Sequence, residues 1–332
     1  MQARHDLFLR RKLGFASVAA VAAACLFITA PSHAADKFPS KAVRIVVPSP
    51  PGGSNDQMAR LLALRLQERW GQPVVVEYKG GGGQTIGTDF VAKSPADGHT
   101  IGLVVTSHVI NPALRKLPYD TLNDFSGVTL IGFTPILITT AGNAPFNNLA
   151  DVLAHAKAHP GDITYATPGA GSSMHFAGDF LAKSAGVEFR HIPFRGGGQQ
   201  GQEVMTGRVT LNIGTLGTSY PFVKSGHLKA IAITDPKRSP AAPEIPAVAE
   251  TLPGFSVQSF IGFVVPKGTP RDVIQNIRND VVATLKVPEV VANLTSGGFE
   301  VVGGTPEEFD RFIAEQVPRW AGIAKRTGIT AE

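Results

Sequence analysis

Short apolar runs alternate with helical patterns in the first part of the chain. Residues 43–47, 74–78 and 101–105 are apolar runs that predict strands. Between them, residues 56–70 and 85–93 have helical patterns, and the first repeats apolar residues at steps of four, at Met58, Leu62, Leu66 and Trp70. This βαβαβ order predicts a parallel sheet covered by helices.

A second alternation begins near Ile136. Strands are predicted over residues 163–166, 189–192, 209–213 and 228–234, and helices over residues 148–159, 173–185 and 199–206. After Pro253-Gly254, an apolar run to residue 265 precedes a helix over residues 270–285, and a last helix starts at the capping-box pattern of Thr305 and Glu308. Two α/β halves predict a two-lobed protein with a ligand cleft.

The first 34 residues have the pattern of a secretory signal peptide. A basic start that includes Arg10 and Lys12 precedes an uncharged, mostly apolar stretch over residues 13–30, and small residues at Ser32 and Ala34 predict cleavage after Ala34. A membrane anchor is the alternative, but no basic stop-transfer cluster follows. Cys25 is the only cysteine and lies in this segment, so the rest of the chain has no disulfide, thiol catalyst or thiolate metal site.

Composition narrows the functional classes only slightly. The 332 residues are 43% hydrophobic, enough for about two domains with full cores. The formal net charge is +5, but four basic residues and one acidic residue lie in the signal segment, which leaves about +2. No basic run with interleaved aromatic residues follows, so nucleic-acid binding is not expected.

The stretch PSPPGGSNDQMAR, residues 48–60, joins the first strand to the first helix. Ser54 stands three residues before Gln57, the spacing of a helix cap, and the first amides of the helix would be open donors at the positive end of its dipole. Gly52 and Gly53 allow close approach, so the loop suits either a carboxylate or an ordinary capped helix without ligand. Asp56 would repel an anion unless it holds the loop's own amides or meets an ammonium group.

The second strand also ends in a glycine-rich loop, Gly80-Gly81-Gly82-Gly83-Gln84. It does not fit G-x-G-x-x-G, because Ile86 stands where the last glycine is needed, and no lysine follows as in a P-loop. Nucleotide binding is therefore disfavoured, while an amide-lined loop at the same end of the sheet is expected.

The second half contains a counterpart, TPGAGSSMH, over residues 167–175. Ser172 and Ser173 are hydroxyl residues at a helix start, but neither fits G-x-S-x-G, and His175 is suited to local hydrogen bonding or to facing the cleft. A hydrolase that uses one of these serines with His175 remains the enzymatic alternative.

Two further motifs are weak. His155 and His159 are four residues apart, but the acidic residue of H-E-x-x-H is missing and Pro160 follows, so we predict solvated surface and no metal site. Arg195 follows a strand and suits either a carboxylate contact or the surface.

Long segments of the chain resemble the Bug family of periplasmic receptors, the solute-binding components of tripartite tricarboxylate transporters. The segments are FPSKAVRIVVPSPPGGSNDQMARLLALRL, GQPVVVEYKGGGGQTIGTDFVAKSPADGHTI, NPALRKLPYDTLNDF, ATPGAGSSMHFAGDFLAKSAGVEFRHIPFRGGG, SGHLKAIAITDPKRSPAAPEIPAVAET and VVPKGTPRDVI. They cover nearly the whole chain after the signal segment, in order.

The resemblance implies a two-lobed α/β periplasmic binding protein of type II-like fold, each lobe a mostly parallel sheet flanked by helices. The chain would cross between lobes twice, with residues 35–136 plus 258–332 in lobe 1 and 137–257 in lobe 2. It implies a non-catalytic, cofactor-free monomer in the periplasm that closes on a small carboxylated solute. The partner would be the membrane permease of such a transporter or, alternatively, a sensor protein.

In the family, the loop after the first strand and its second-lobe counterpart hold a ligand carboxylate. Many relatives have tyrosine at Phe194 and aspartate at Gly214. The loss of that acid, together with the presence of Arg195, suggests a dicarboxylate. The candidate ligand-binding residues are Pro51, Gly52, Gly53, Ser54, Asn55, Asp56, Gly83, Gln84, Ser107, Gly169, Ser172, Ser173, His175, Arg195 and Thr215.

Overall fold

Strands and helices alternate from the start of the part of the chain that the structure describes. The structure is a computed structural model that describes residues 38–194 and 197–330. The predicted signal segment, residues 1–34, and Arg195 lie outside the described residues. No helix in the described ranges is both long and apolar enough to cross a membrane.

The first seven elements run from β1 to β4. They are β1 (Val43–Val47), α1 (Ser54–Trp70), β2 (Val74–Tyr78), α2 (Thr85–Ala92), β3 (Thr100–Val105), α3 (Ser107–Leu114) and β4 (Phe125–Thr134). β1 pairs in parallel with both β2 and β3, which confirms the predicted βαβαβ unit. The apolar stripe of α1 is buried at Met58, Leu62 and Leu66, each at most 3% exposed.

The chain then builds a second sheet. Its elements are β5 (Ile136–Ala141), α4 (Leu149–Ala158), β6 (Thr164–Thr167), α5 (Ser173–Ala185), β7 (Arg190–Pro193), α6 (Gly197–Met205), β8 (Leu211–Thr215), α7 (Leu216–Lys224) and β9 (Leu228–Ile233). Helices connect the parallel strands, as the pattern of the second half predicts.

The last elements return to the first sheet. They are β10 (Ser259–Pro266), α8 (Arg271–Leu285), α9 (Pro288–Ser296), β11 (Glu300–Val301) and α10 (Pro306–Thr327). The predicted capping box of α10 is confirmed, since Thr305 Oγ1 accepts from the Glu308 amide at 3.2 Å and Glu308 Oε2 accepts from the Thr305 amide at 2.8 Å.

The two sheets define two lobes. Lobe 1 carries the six-stranded sheet, in the order β11-β4-β10-β3-β1-β2, and lobe 2 carries the five-stranded sheet, in the order β7-β6-β8-β5-β9. β10 runs antiparallel to both of its neighbours, and so does β5, so the pairing is mixed although most strands of each sheet point one way. The predicted two-lobed α/β fold with two crossovers is confirmed.

The two crossings lie side by side. The chain leaves lobe 1 at Pro135, between β4 and β5, and returns near Gln258, just before β10. Thr234, at the end of β9, joins the crossings, since its amide donates to the Ile136 carbonyl at 2.9 Å and its hydroxyl donates to the Val257 carbonyl at 2.6 Å. The described residues accordingly belong to one compact unit.

Helix α10 also links the lobes. It packs along β4 and α3 in lobe 1, and its Trp320 ring meets the Phe176 ring of α5 edge-on, with centroids 5.0 Å apart. Both rings are almost fully buried, so the lobes share apolar core next to the crossings as well as backbone hydrogen bonds.

Candidate functional site

Three helices begin at a cavity between the lobes. The cavity has a volume of about 410 Å³, which is within the range of small-molecule sites. Its wall comprises the first residues of α1, α5 and α7, loop residues that precede α1 and α5, the glycine-rich loop before α2, and single residues from other elements. The lining residues from the helix starts and the glycine-rich loop are Gly53, Ser54, Asn55, Gly81, Gly82, Gly83, Gln84, Ser172, Ser173, Met174, Thr215 and Thr218.

The first helix begins one residue earlier than predicted. Gly53, not Ser54, is the N-cap residue, because its backbone is extended (φ −101°, ψ 179°) and its carbonyl accepts the first helical hydrogen bond, from Gln57. Ser54 is therefore the first helical residue, and no side chain caps α1. The amides of Ser54 and Asn55 stand open at the cavity wall, where the helix dipole favours an anion.

Asp56 stabilises this loop from behind. It is buried outside the cavity wall, and its carboxylate accepts hydrogen bonds from the Gly52 amide at 2.8 Å, from Arg60 Nε at 2.6 Å and from the Tyr78 hydroxyl. Burial raises the pKa of Asp56, but these hydrogen bonds outweigh burial and hold the pKa below its usual value. The expectation that Asp56 holds the loop's own amides is confirmed for Gly52.

The glycine-rich loop of lobe 1 adopts a left-handed path. Gly82, Gly83 and Gln84 have φ values of 57°, 63° and 78°. The loop is held from α3, since the Ser107 hydroxyl donates to Gln84 Oε1 and Asn111 Nδ2 donates to the Gly83 carbonyl at 2.8 Å. Ser107 thus positions the loop from a buried place outside the cavity wall.

Helix α5 begins at a side-chain cap. Ser172 Oγ accepts from the His175 amide at 3.2 Å, which leaves the amides of Ser173 and Met174 without a hydrogen-bond partner among the described residues. These two amides belong to residues of the same cavity wall as the open amides of α1.

His175 and Asp179 support that loop from inside lobe 2. The Gly171 amide donates to His175 Nδ1 at 3.1 Å, and His175 Nε2 lies 3.2 Å from Asp179 Oδ2. Burial raises the pKa of Asp179, but the nearby His175 ring and the hydrogen bond from the Tyr165 hydroxyl outweigh it, so the pKa lies below its usual value. His175 is buried behind the cavity wall and does not line it.

A third wall comes from the end of β8 and the start of α7. Thr215 is the N-cap residue of α7, and its hydroxyl lies 2.9 Å from the Thr218 hydroxyl. A Cβ atom added at Gly214 would lie 2.9 Å from Ser219 Oγ and 3.1 Å from Gln200 Nε2. Gly214 lines the cavity, and any side chain there would press against these two polar groups, so the site is fitted to a residue without a side chain.

Arg115 is a cavity residue that the sequence did not indicate. It follows α3, and Nη1 of its guanidinium donates to the Gly82 carbonyl at 3.0 Å. Among the described residues that line the cavity, Arg115 is the one with an ionisable side chain. The described cavity wall therefore presents open amides and one guanidinium, and none of its described residues carries a carboxylate.

The sequence matches a family of receptors over most of its length. The profile described as "Tripartite tricarboxylate transporter family receptor" matches residues 58–329. The chain belongs to this family.

Solved structures of related receptors are similar to this chain throughout the matched length. The periplasmic binding protein BugD is 32% identical, with a TM-score of 0.84, covering 89% of this chain and 100% of that chain. R. palustris Rpa4515, solved with adipate, is 32% identical, with a TM-score of 0.83, covering 88% and 99%. MatC (Rpa3494) from Rhodopseudomonas palustris, solved with bound malate, is 29% identical, with a TM-score of 0.82, covering 86% and 99%. The predicted resemblance to the Bug receptors is confirmed.

Not every predicted site residue of this receptor lies in the cavity wall. The residues that do are Gly53, Ser54, Asn55, Gly83, Gln84, Gly169, Ser172, Ser173 and Thr215, while Pro51, Gly52, Asp56, Ser107 and His175 do not. Several of the latter hold the wall, through the hydrogen bonds described above. Arg195 lies outside the described residues.

The serines of the second-lobe loop are not arranged as nucleophiles. Ser172 Oγ donates to the Gly169 carbonyl at 2.7 Å, Ser173 Oγ contacts Met174 Sδ at 3.3 Å, and neither hydroxyl is hydrogen bonded to the His175 ring.

His155 Nε2 pairs with Asp162 at 2.6 Å. Within residues 38–194 and 197–330, no group of three or more His, Cys, Asp or Glu residues is placed to hold a metal ion.

Proposed function

We propose that this receptor captures a small carboxylate in the periplasm, between its two lobes, without transforming it. It then presents the closed form to the permease of a tripartite tricarboxylate-type transporter. The two lobes of one chain complete the cavity, which supports a monomeric receptor.

One observation carries the proposal. Open amides from the starts of α1 and α5 belong to residues that line one cavity, one set from each lobe. Each set lies at the positive end of a helix dipole and can donate to a carboxylate oxygen. A hydrogen bond to a charged acceptor contributes about 1.5–3 kcal/mol, so two such sets suffice for useful affinity.

The ligands of two similar proteins fit the same chemistry. Adipate accompanies Rpa4515 and malate accompanies MatC. Both are small dicarboxylates, and a cavity of about 410 Å³ has room for solutes of that size.

A thermal-shift screen of small carboxylates tests the proposal. A solute at about 100 times its dissociation constant stabilises the folded state by roughly 2.7 kcal/mol, which is a clear rise in melting temperature. The solute should be recovered unchanged after incubation. The absence of any shift with C3–C6 mono-, di- and tricarboxylates, or conversion of the solute, would contradict the proposal.

Replacing Ser54 with proline tests the amides directly. Proline is favoured at the first helical position, and Pro288 and Pro306 already occupy it in α9 and α10, so Ser54→Pro removes one open amide and keeps the helix. We expect the affinity for the solute to fall about tenfold, at nearly unchanged melting temperature of the free protein. Arg271→Pro, at the exposed first residue of α8, is the matched control and should bind normally. Normal binding by Ser54→Pro would place the solute away from α1.

A further inference from the structure

The guanidinium of Arg115 lies where the two lobes meet over the cavity. Gly83 of lobe 1 and Gly171 of lobe 2 enclose it: an added Cβ would lie 2.9 Å from Nη1 at Gly83 and 2.5 Å from Nη2 at Gly171. Two residues without side chains therefore make the space for this charged group, one in each lobe.

The hydrogen-bonding capacity of Arg115 is only partly used. Nη1 donates to the Gly82 carbonyl, whereas Nε and Nη2 are buried and have no hydrogen-bond partner among residues 38–194 and 197–330. No carboxylate of the described residues lies within ion-pair distance of Arg115. By contrast, Arg208 and Arg238 each pair with a glutamate at the surface. Buried donors without an acceptor are costly, so the site favours a state in which an anion meets these two nitrogens.

We propose that Arg115 determines specificity by binding the second anionic group of the solute. The inference rests on the proposed function, in which the first carboxylate occupies the amides of α1 and α5. Because Gly171 belongs to lobe 2, opening of the cleft uncovers Nη2, and the second carboxylate binds it before the lobes close. The receptor therefore selects dicarboxylates over monocarboxylates of the same length.

Arginine suits this role better than lysine. Its planar guanidinium presents paired donors that match the two oxygens of a carboxylate, and it stays charged at every physiological pH. The open amides of α1 and α5 accept any carboxylate equally, so they cannot distinguish a diacid from a monoacid. Arg115, the single cation of the described cavity wall, can distinguish them, because it attracts the second negative charge of a diacid.

The test compares adipate with monomethyl adipate by calorimetric titration. The two probes have the same chain length and differ in one negative charge. We expect the wild type to prefer adipate by at least about tenfold, which is the contribution of one charge-assisted pair. Arg115→Met should remove most of this preference by weakening adipate binding, while Arg115→Lys should retain part of it. Lys116→Met, which removes an exposed positive charge from the next residue, is the control and should keep the wild-type preference.

The outcomes separate this inference from the proposed function. If Arg115→Met weakens both probes equally, Arg115 only holds the lobes together and the inference is wrong. If the wild type binds both probes with equal affinity, the inference is wrong although carboxylate capture stands. If neither these probes nor any other small carboxylate binds the wild type, the proposed function itself fails.

Discussion

The amide of Gly171 donates a hydrogen bond to Nδ1 of His175 at 3.1 Å, so a histidine outside the cavity wall fixes the loop that forms it. The carboxylate of Asp179 lies 3.2 Å from His175 Nε2 and favours the proton there, which keeps Nδ1 free to accept. The position of the Ser173 and Met174 amides thus depends on a buried pair inside lobe 2.

Two variants of His175 separate the effect of losing the hydrogen-bond acceptor for the Gly171 amide from the effect of losing the packing of the ring. His175→Leu leaves the Gly171 amide without an acceptor, so the loop turns this amide to water and displaces the Ser173 and Met174 amides. Binding must then restore the buried, unsatisfied amide at about 1–3 kcal/mol, and we expect the affinity for the solute to fall about tenfold. His175→Asn keeps an acceptor near the same place and should lose less. Calorimetric titration of both folded variants checks this, and equal losses would show that the hydrogen bond is unimportant.

Asp56 should contribute more to the free energy of unfolding through its bonds to Gly52 and Tyr78 than through its ion pair with Arg60. Asp56→Asn weakens the acceptor for Gly52 and Tyr78, and we expect the free energy of unfolding to fall by about 1–3 kcal/mol. Arg60→Met removes only the exposed partner, which is 63% exposed, and should cost less than about 1 kcal/mol. Urea denaturation measures both. A larger loss for Arg60→Met would contradict the assignment of Asp56 as the anchor of the loop.

Asp235 should make stability depend on pH near neutrality. Burial raises the pKa of Asp235 to about 7, against weaker opposing effects of the Gln258 side chain and the Ile136 backbone, and its Oδ1 has no hydrogen-bond partner. The folded state therefore holds the proton more tightly than the unfolded state. This contribution to stability is complete below about pH 4 and is lost as the pH rises through about 7, by at most about 1.4 kcal/mol per pH unit.

The variant Asp235→Asn isolates that dependence. Its free energy of unfolding should lack the decrease that Asp235 causes in the wild type between about pH 4 and about pH 7, while contributions from other groups remain in both proteins. Parallel pH profiles for the two proteins would show that Asp235 titrates normally.

Gly214 is the position at which an acid would oppose a dianion. In both Gly214→Asp and Gly214→Asn the new Cβ pushes against Ser219 and Gln200, so the two variants share the same crowding and differ by one negative charge at the cavity wall. Repulsion between like charges should weaken adipate binding by about tenfold more in the aspartate variant than in the asparagine variant. Equal affinities in a competition assay would argue against a second negative charge near β8.

Local patterns predicted the elements better than the residues around the cavity. The bounds of β1, β2 and α5 agree with the predicted ones, because each is a clear apolar period between glycine or proline turns. The start of α1 was misplaced by one residue, since Ser54 matches a cap pattern but Gly53 has the extended backbone. The bounds of the lobes stay a prediction, with residues 35–136 plus 258–332 in lobe 1 and residues 137–257 in lobe 2.

Helix α3 and its Arg115 could not be predicted from the pattern. Pro112 lies inside this short helix, where proline usually ends one, and the hydroxyl of Thr121 donates to the His108 carbonyl that Pro112 cannot bond. Likewise, β10 pairs with β3 and β4, which lie more than a hundred residues earlier in the chain. The local pattern of apolar residues does not indicate which distant strands will pair. The cavity depends on these long-range placements.

An NMR titration of the ¹⁵N-labelled protein with adipate tests most directly whether the starts of α1 and α5 bind the same solute. We predict that the amide signals of Ser54 and Asn55 in lobe 1 and of Ser173 and Met174 in lobe 2 shift together, with one dissociation constant. The amide of Asn279, on α8 away from the cavity, should not move. Saturable binding that leaves either pair of amide signals unmoved would contradict the account.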